Sequence, residues 1–201
     1  MLFFTKTPFF LKKLFPSIIW EGNNNKIFLS FDDGPQEEIT EWVLDFLALH
    51  NIKAHFFCIG KHVAAHPLIF ERIIKEGHIA SNHSYSHPNG WKTPSKEYIA
   101  NVELGAERYN NNYFRPPYGK LTWRQYQTLK TKYKIVLWDI LSWDFHSQVT
   151  AEASWDNVRK NIRPGSLIVY HDKTICAEKL KHNLPLLVAY CKSKGWEFGT
   201  F

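Results

Sequence analysis

Ser30-Phe31-Asp32-Asp33-Gly34-Pro35 ends the first strongly apolar run of the chain. The run itself, residues 26–31, combines aromatic and β-branched side chains and predicts a short buried strand. Two aspartates close the strand, and Gly34-Pro35 then forces a turn. Adjacent carboxylates resist joint ionisation, and a buried carboxylate needs a partner or a metal. The stretch therefore predicts either a functional site at a strand end or a solvated turn.

The composition is that of an ordinary globular chain. The 201 residues are 44% hydrophobic, which is enough for one domain with a sizeable core. Aromatic residues make up 16% of the chain, and such residues fill cores or line sugar-binding grooves. The net charge of +6 is scattered, apart from Lys12-Lys13, which favours a solubilising surface over attraction to an anionic polymer or membrane. We expect a monomer and no nucleic-acid partner.

The cysteines and the N-terminus limit the class of protein further. Three cysteines without CxxC spacing argue against a disulfide framework and favour a reducing compartment. No apolar run reaches transmembrane length. Residues 1–20 mix Phe and Leu with lysines and lack the order of a signal peptide. We expect residues 1–25 to form an ordered N-terminal arm or a weak membrane-surface segment, followed by one domain at residues 26–201.

Two kinds of apolar pattern alternate along the chain. Short runs with aromatic and β-branched residues predict strands, and apolar residues three or four apart predict helices. The predicted strands are residues 26–31, 54–59, 78–82, 113–115, 135–138, 166–170 and 196–201. The predicted helices are residues 37–50, 68–76, 95–108, 122–131, 154–161 and 184–194. The alternation predicts an α/β fold with a mostly parallel sheet or barrel.

Polar residues follow the predicted strands at the point where each strand ends. In a parallel barrel these ends share one face, and active sites are built there. The clustering therefore favours a functional site over a structural coincidence. The residues are Asp32, Asp33, His83, His87, Arg115, Asp139, Asp144 and His171.

A metal site is the first function that these residues suggest. His83 and His87 are four apart, so a helical turn would put both imidazoles on one side. Alone, such a pair of histidines usually lies on the surface without binding a metal. With one aspartate it becomes a two-His-one-Asp metal site with open coordination positions. A metal there can lower the pKa of bound water to about 7 and polarise a carbonyl. The other aspartate is then free to act as general base, and spacing leaves open which of Asp32 and Asp33 is the ligand.

The remaining polar residues suggest supporting roles. Arg115 could keep the base ionised, or it could form a structural salt bridge. The two prolines after it make a rigid loop that could aim the N–H of Tyr118 at an oxyanion. His171 suits a general acid that Asp139 orients and keeps protonated, and a buried core histidine is the alternative.

Five motifs in order closely resemble those of the polysaccharide deacetylase family, the NodB-homology domain of the family-four carbohydrate esterases. The resemblance runs from Ile27 to about Phe201. The motifs and their family patterns are residues 30–35 (TFDDGP), 83–87 (H-[ST]-x-x-H), 115–118 (R-x-P-Y), 139–145 (D-x-x-S-x-D-W) and 167–171 (L-x-L-x-H).

The resemblance implies a distorted (β/α) barrel of about seven strands that hydrolyses N-acetyl groups of amino sugars. The implied metal is divalent, with Zn²⁺ expected and Co²⁺, Ni²⁺ or Mn²⁺ as substitutes. Because residues 1–20 lack the pattern of a signal peptide, we expect a location in the bacterial cytoplasm or at the membrane periphery. The implied roles are Asp32 as base, Arg115 as its partner, Asp33, His83 and His87 as metal ligands, and His171 as acid with Asp139 behind it. The implied substrate contacts are the Tyr118 N–H, Pro117 and Trp143, with Leu167 and Val169 lining an acetyl pocket.

The chain departs from the family patterns at four positions. Ser30 replaces Thr but keeps the hydroxyl, and Phe145 replaces Trp. Val169 replaces the second Leu of the last motif, so groove and pocket can differ in shape. Leu141 stands where many relatives carry an acid, which weakens the assignment of Asp139 as support for His171.

Several functions follow from these observations. The leading one is N-deacetylation of N-acetylglucosamine units in chitin oligomers or peptidoglycan. Its alternatives among hydrolases are deacylation of a lipid-linked amino sugar and O-deacetylation of xylan. Alternatives of other classes are an inactive glycan-binding module and a two-His-one-carboxylate oxygenase. The intact Asp32, His83, His87 and His171 argue against the binding module, and the two aspartates with Arg115 argue against the oxygenase.

Overall fold

Strands and helices alternate along much of the described part of the chain, residues 5–22 and 25–201 of a computed structural model. The strands are β1 (Ile27–Asp32), β2 (His55–Cys58), β3 (Ile79–Asn82), β4 (Tyr113–Phe114), β5 (Lys134–Ile135), β6 (Ile140–Leu141), β7 (Leu167–His171) and β8 (Phe198–Gly199). The helices are α1 (Phe9–Leu14), α2 (Ile39–Leu49), α3 (Gly60–Ala65), α4 (Pro67–Lys75), α5 (Ser95–Ala106), α6 (Trp123–Leu129), α7 (Ala151–Arg159) and α8 (Ala177–Ser193). No helix within these ranges could cross a membrane. Residues 1–4, 23 and 24 of the predicted arm lie outside the described ranges.

The strands pair in the order β5-β4-β3-β2-β1-β7-β6, with β8 beside β1, and the pairs are parallel. The sheet curls into a half-barrel of seven strands, which confirms the predicted distorted barrel. Parallel pairing brings the carboxyl ends of the strands to one edge. At this edge Asp32 lies in register with Phe57 on one side and His171 on the other. We call this edge the barrel mouth.

Strand β1 separates two apolar regions because its side chains alternate between two faces. Leu29 and Phe31 pack in the core cluster that includes residues of α2 and α8. Phe28 faces the barrel interior, where it packs with Phe57 and Leu167. Asp32 shares the inward face with Phe28, so its carboxylate lies at the barrel mouth rather than under the helices.

The N-terminal arm, of which the structure describes residues 5–22, closes the gap between the two edge strands. Ile19 donates its N–H to the Ile135 carbonyl at 2.9 Å, and its own carbonyl accepts from Leu137 at 2.8 Å. At the other edge the Thr7 N–H donates to the Asp139 carbonyl at 2.9 Å. The described part of the arm therefore completes the wall of the barrel.

Several predicted elements differ in their bounds from the observed ones, and α1, α3 and β6 have no predicted counterpart. The predicted strand 135–138 ends early, because the chain beyond β5 pairs with the arm through a bridge between Ile19 and Val136. The predicted helix 184–194 is part of a longer helix, α8. Proline is typical of a first helical turn, but Pro185 lies inside α8, where it removes one backbone donor without ending the helix.

Candidate active site at the barrel mouth

Three side chains each bring one potential ligand atom to the barrel mouth. Asp33 Oδ1 lies 3.5 Å from His83 Nε2 and 3.2 Å from His87 Nε2. The three ligand atoms all lie within 4.8 Å of one another. We call these residues the triad. The structure brings Asp33 closest to the histidines, since Asp32 Oδ2 lies 4.0 Å from His83 Nε2.

The two histidines lie on a loop after β3, so the predicted helical turn is wrong. Ser84 and His87 adopt left-handed backbone conformations, with φ of 65° and 61°. The side-chain oxygen of Asn82 accepts the Ser84 N–H at 2.8 Å, and the Ser84 hydroxyl accepts the His87 N–H at 3.0 Å. Bonds of this kind offer the backbone an alternative to a helix. The spacing of four residues brings the imidazoles together through a turn instead.

The chemistry of the triad fits a divalent cation. His83 Nδ1 donates to the Arg115 carbonyl at 2.7 Å, which leaves the Nε2 lone pair for the site. Burial lowers the pKa of His87, which keeps its ring neutral. Burial raises the pKa of Asp33, but His83 and His87 outweigh it and hold that pKa well below its ordinary value. Asp33 Oδ1 is buried and has no hydrogen-bond partner among the described residues. An anionic oxygen facing two imidazole nitrogens is a donor set that Zn²⁺ accepts.

Two further residues hold Asp33, and the sequence did not indicate either. Lys173 Nζ lies 2.6 Å from Asp33 Oδ2, so the lysine takes the carboxylate oxygen that faces away from the histidines. His62 Nδ1 donates to the Asp33 carbonyl at 2.6 Å. The only signal in the sequence was the place of Lys173, two residues after His171. These contacts fix the orientation of the acidic ligand.

A buried arginine holds the other aspartate. Arg115 Nη1 donates to Asp32 Oδ1 at 2.6 Å and to the Ser30 hydroxyl at 2.9 Å, and Nη2 donates to the Leu137 carbonyl at 2.9 Å. The guanidinium also lies 3.9 Å from the centroid of the Phe57 ring. The predicted pairing of Arg115 with Asp32 is therefore present. It orients the Asp32 carboxylate and leaves Oδ2 facing the triad.

Asp144 is the carboxylate that contacts His171, which corrects the prediction of Asp139. Asp144 Oδ1 lies 2.7 Å from His171 Nδ1, and Oδ2 accepts the His171 backbone N–H at 2.8 Å. The Ser142 hydroxyl donates to Asp144 Oδ1 at 2.9 Å. Burial lowers the pKa of His171, but the Asp144 carboxylate outweighs it and raises that pKa to about 8. His171 is therefore mostly protonated at neutral pH.

Strand register explains why Asp139 does not reach His171. The Asp139 N–H donates to the carbonyl of Leu167, which lies four residues before His171 on β7. That separation is about 13 Å along a strand. Asp139 instead binds the Lys12 ammonium at 2.5 Å and the Ser166 hydroxyl at 2.8 Å. It anchors the N-terminal arm.

We expect Asp144→Asn to lower the pKa of His171 and Asp139→Asn to leave it at about 8. An acid must be protonated to act, so its contribution is lost as pH rises through its pKa. Removal of the Asp144 charge should move the alkaline limb of the pH profile of kcat/KM to lower pH by about one unit or more. An unmoved limb in Asp144→Asn would assign this limb to another group, such as the attacking water.

One cavity of about 580 Å³ contains the triad, Asp32 and His171. Of the predicted substrate contacts, Tyr118 and Trp143 line the cavity. The centroids of the Tyr118 and His87 rings lie 4.6 Å apart. Pro117 is buried beside the lining residue Pro116. The role of the Tyr118 N–H as an oxyanion donor stays a prediction.

Leu167 and Val169, the predicted lining of an acetyl pocket, are not among the residues that line the cavity. Leu167 and Val169 face the same side of β7 as His171, but both are fully buried beneath the cavity. The aliphatic side chains that line the cavity from this part of the barrel are Leu137 and Leu141. Leu141 lies beside Val169 in the sheet, and of the two only Leu141 lines the cavity.

Asp172 is a buried acid behind the loop that carries Asp33. Its carboxylate accepts the Thr40 hydroxyl at 2.7 Å and the Gly34 N–H at 3.1 Å. A Cβ on Gly34 would lie 2.0 Å from Asp172 Oδ2, so only glycine fits there. Burial raises the pKa of Asp172 to about 8 despite these bonds. The acid is therefore mostly neutral at pH 7, and sequence reasoning missed it.

We expect Asp172→Asn to be relatively more stabilising at high pH. A raised folded-state pKa favours folding below the unfolded pKa of 3.8, and this benefit is lost as pH rises through about 8. The unfolding free energy of the variant relative to wild type should therefore rise from pH 4 to pH 8, by no more than about 1.4 kcal/mol per pH unit. The difference between the two Tm values should rise over the same range. Asp45→Asn, at an exposed position, is the control. A pH-independent difference would contradict the neutral state of Asp172.

Comparison with known proteins places this geometry in a family. Residues 21–135 match the model of the family described as polysaccharide deacetylase. The chain belongs to this family. The match covers β1 to β5 and therefore the triad, Asp32 and Arg115.

Named relatives and a solved structure agree with this membership. A peptidoglycan-N-acetylglucosamine deacetylase of Bacillus cereus is 37% identical over 156 residues, or 74% of this chain and 56% of the relative. A second B. cereus protein of that name is 30% identical over 204 residues and covers 94% of both chains. The crystal structure of the Bc1960 peptidoglycan N-acetylglucosamine deacetylase has a TM-score of 0.83 and 33% identity, and the match covers 92% of this chain and 91% of that one. The chain thus spans little more than half of the first relative and nearly all of the other two.

Proposed function

We propose that this polysaccharide deacetylase family member is a metal-dependent hydrolase that removes N-acetyl groups from amino sugars of a glycan, with N-acetylglucosamine units of peptidoglycan or chitin oligomers as substrates. The observation that carries the proposal is the cavity in which the triad lies with an aspartate held by arginine and a histidine held by aspartate. Relatives with the name peptidoglycan-N-acetylglucosamine deacetylase support the choice of substrate.

The residues of the chain divide the chemistry of amide hydrolysis among them. A divalent cation held by Asp33, His83 and His87, with Zn²⁺ as our proposal, would polarise the acetyl carbonyl and lower the pKa of the attacking water. Asp32 accepts a proton from that water, because Arg115 orients its carboxylate towards the triad.

Expulsion of the amine is the second task, because an amine leaves an amide poorly without a proton. His171 holds that proton at neutral pH, since its pKa is about 8 beside Asp144. Asp144 binds both the ring Nδ1 and the backbone N–H of His171, and this orients Nε2 towards the cavity. The base, Asp32, and the acid, His171, are the last residues of the adjacent strands β1 and β7. The base takes a proton from the attacking water, and the acid gives a proton to the leaving amine.

An acetate-release screen tests the proposal. The protein is loaded in turn with Zn²⁺, Co²⁺, Ni²⁺ and Mn²⁺ and given chitin oligomers, peptidoglycan and acetylated xylan. We expect acetate from an N-acetylated substrate and no release after chelation of the metal. Release from xylan alone would identify an O-acetyl esterase. Glycan binding without turnover under every metal would identify a binding module and overturn the proposal.

A further inference from the structure

The N-terminal arm forms one wall of the active-site cavity. Pro8, Phe10, Leu11 and Trp20 line the same cavity as the triad and His171. At about 580 Å³ the cavity is many times larger than an acetyl group requires, since a water molecule occupies about 30 Å³. The arm therefore adds surface that the acetyl group cannot fill.

The wall is held rigidly in place. Lys12 Nζ is largely buried and lies 2.5 Å from Asp139 Oδ1 and 2.7 Å from Glu21 Oε2. Arg163 Nη2 also binds Glu21 Oε2, at 2.7 Å. With the backbone bonds of the arm to both edge strands, these ion pairs make the wall a built part of the barrel.

The wall offers apolar surface, because its polar side-chain groups are already bonded. The Thr7 hydroxyl donates to the Trp138 carbonyl at 2.6 Å. The Trp20 indole N–H donates to the Phe15 carbonyl at 3.1 Å. A sugar hydroxyl buried against this wall would find no free N–H or O–H donor on these two side chains, whereas a hydrocarbon needs none. The apolar faces of this wall can be covered by a sugar ring or by a hydrocarbon, and a hydrocarbon leaves no hydroxyl group unpaired there.

The apolar surface runs from the catalytic groups to the outside of the cavity. It begins at Leu137, whose carbonyl binds Arg115, and at Leu141. Trp20 packs against the apolar cluster that contains Leu137, and Leu11 and Phe10 line the same cavity, with Phe10 67% exposed. A path that ends at an exposed rim fits a long chain that leaves the cavity better than a compact group enclosed in it.

We propose that this surface, formed by Pro8, Phe10, Leu11, Trp20, Leu137 and Leu141 and called the arm subsite, binds a hydrocarbon chain attached to an amino sugar, so that the protein also accepts a lipid-linked amino sugar besides the glycans proposed above. The identity of the sugar rests on the proposed function, but the chemistry of the chain rests on the subsite alone. Each fully buried methylene strengthens binding about fourfold. An octyl chain that is only partly buried should therefore bind at least about tenfold more tightly than a methyl group.

Two glycosides that the enzyme does not hydrolyse test the subsite without relying on turnover. They are the octyl and methyl β-glycosides of glucosamine, which carry no acetyl group. Their Kd values for the zinc-loaded protein are measured by calorimetry below the micelle concentration. We expect the octyl glycoside to bind at least about tenfold more tightly. Equal Kd values would overturn the proposal.

Neighbouring residues of α1 provide matched controls. Phe10→Ala and Leu11→Ala should reduce the octyl-to-methyl ratio by about threefold or more, since each removes contact with the chain. Phe9 and Leu14, at 70% and 66% exposure, lie on the same helix outside the cavity lining, so Phe9→Ala and Leu14→Ala should keep the ratio. Equal losses in the Phe9 and Phe10 variants would assign the effect to unspecific adsorption and overturn the subsite. Phe10 is exposed, so its variant should fold, and thermal melting verifies this.

Turnover of the N-acetylated glycosides separates this inference from the proposed function. With the octyl compound, we expect a KM about tenfold lower than with the methyl compound, at similar kcat. Tight binding of octyl glucosamine without any acetate release would refute the proposed function and leave the subsite standing. A preference for an N-octanoyl over an N-acetyl group, without an effect of the octyl glycoside, would place the chain on the acyl side and overturn the proposal as stated.

Discussion

His83→Ala and His87→Ala are expected to lose both the metal and the activity. Each variant leaves two protein ligands from the triad, whereas a catalytic zinc site uses three. Loss of residues that merely support a ligand costs about 10- to 100-fold in metal affinity, so loss of a ligand should cost at least about 100-fold. Metal content after dialysis, measured by mass spectrometry, gives the result directly.

His182→Ala is the matched control for these two variants. His182 is a half-buried histidine on α8 whose ring contacts Asn183 and Glu152, away from the triad. It should keep the metal and the activity of the wild type. Circular dichroism should show a folded barrel in all three variants, because the triad histidines lie on a loop and not in the apolar core. Full metal occupancy in either triad variant would remove that residue from the ligand set.

Asp32→Asn is expected to keep the metal while acetate release falls by roughly 10²–10⁴-fold. The amide has the shape of the carboxylate and still accepts from Arg115, but it cannot take a proton from water. Metal content and kcat are measured on the same preparation. Loss of the metal in this variant would mean that Asp32 is a ligand, so that the roles of Asp32 and Asp33 are exchanged or shared.

The same variant has a second expected effect, on stability. Arg115 is fully buried, and its Nη1 loses an ionised partner when Asp32 becomes an amide. A buried charge left without its counter-charge costs about 3–5 kcal/mol. The hydrogen bonds from Arg115 to Ser30 and Leu137 remain, so we expect the unfolding free energy to fall by less than this amount. The fall is measured as a lower Tm. Ser30→Ala, which removes one hydrogen bond to Arg115 and leaves the ion pair, should lower Tm less. The comparison separates the charge effect from simple loss of a bond.

Much of the fold could be predicted because its determinants are local. Two aspartates followed by Gly34-Pro35 indicate the end of β1. The alternation of strand and helix patterns indicates a parallel barrel. A parallel barrel collects the ends of its strands at one mouth, so the types of residue at the site follow from their positions after strands. Asp32, Asp33, His83 and His171 were found in this way.

The partners within the site depended on contacts that no local pattern encodes. Asp139 and Asp144 both follow the same apolar run, and only the register of β6 on β7 decides that Asp144 reaches His171. The turn that joins His83 to His87 depends on the Asn82 side chain. Lys173 reaches Asp33 across 140 positions of the chain.

The sequence by itself determined the barrel, the position of its mouth and the chemical groups collected there. Only the tertiary structure decided that the N-terminal arm belongs to the cavity. Its composition suggests an arm or a surface segment, and the contact that anchors it joins Lys12 to Asp139, 127 positions away. Strands and turns arise from interactions between near neighbours, whereas a wall of a cavity forms where distant segments meet. Long-range packing therefore decides which surface a substrate touches.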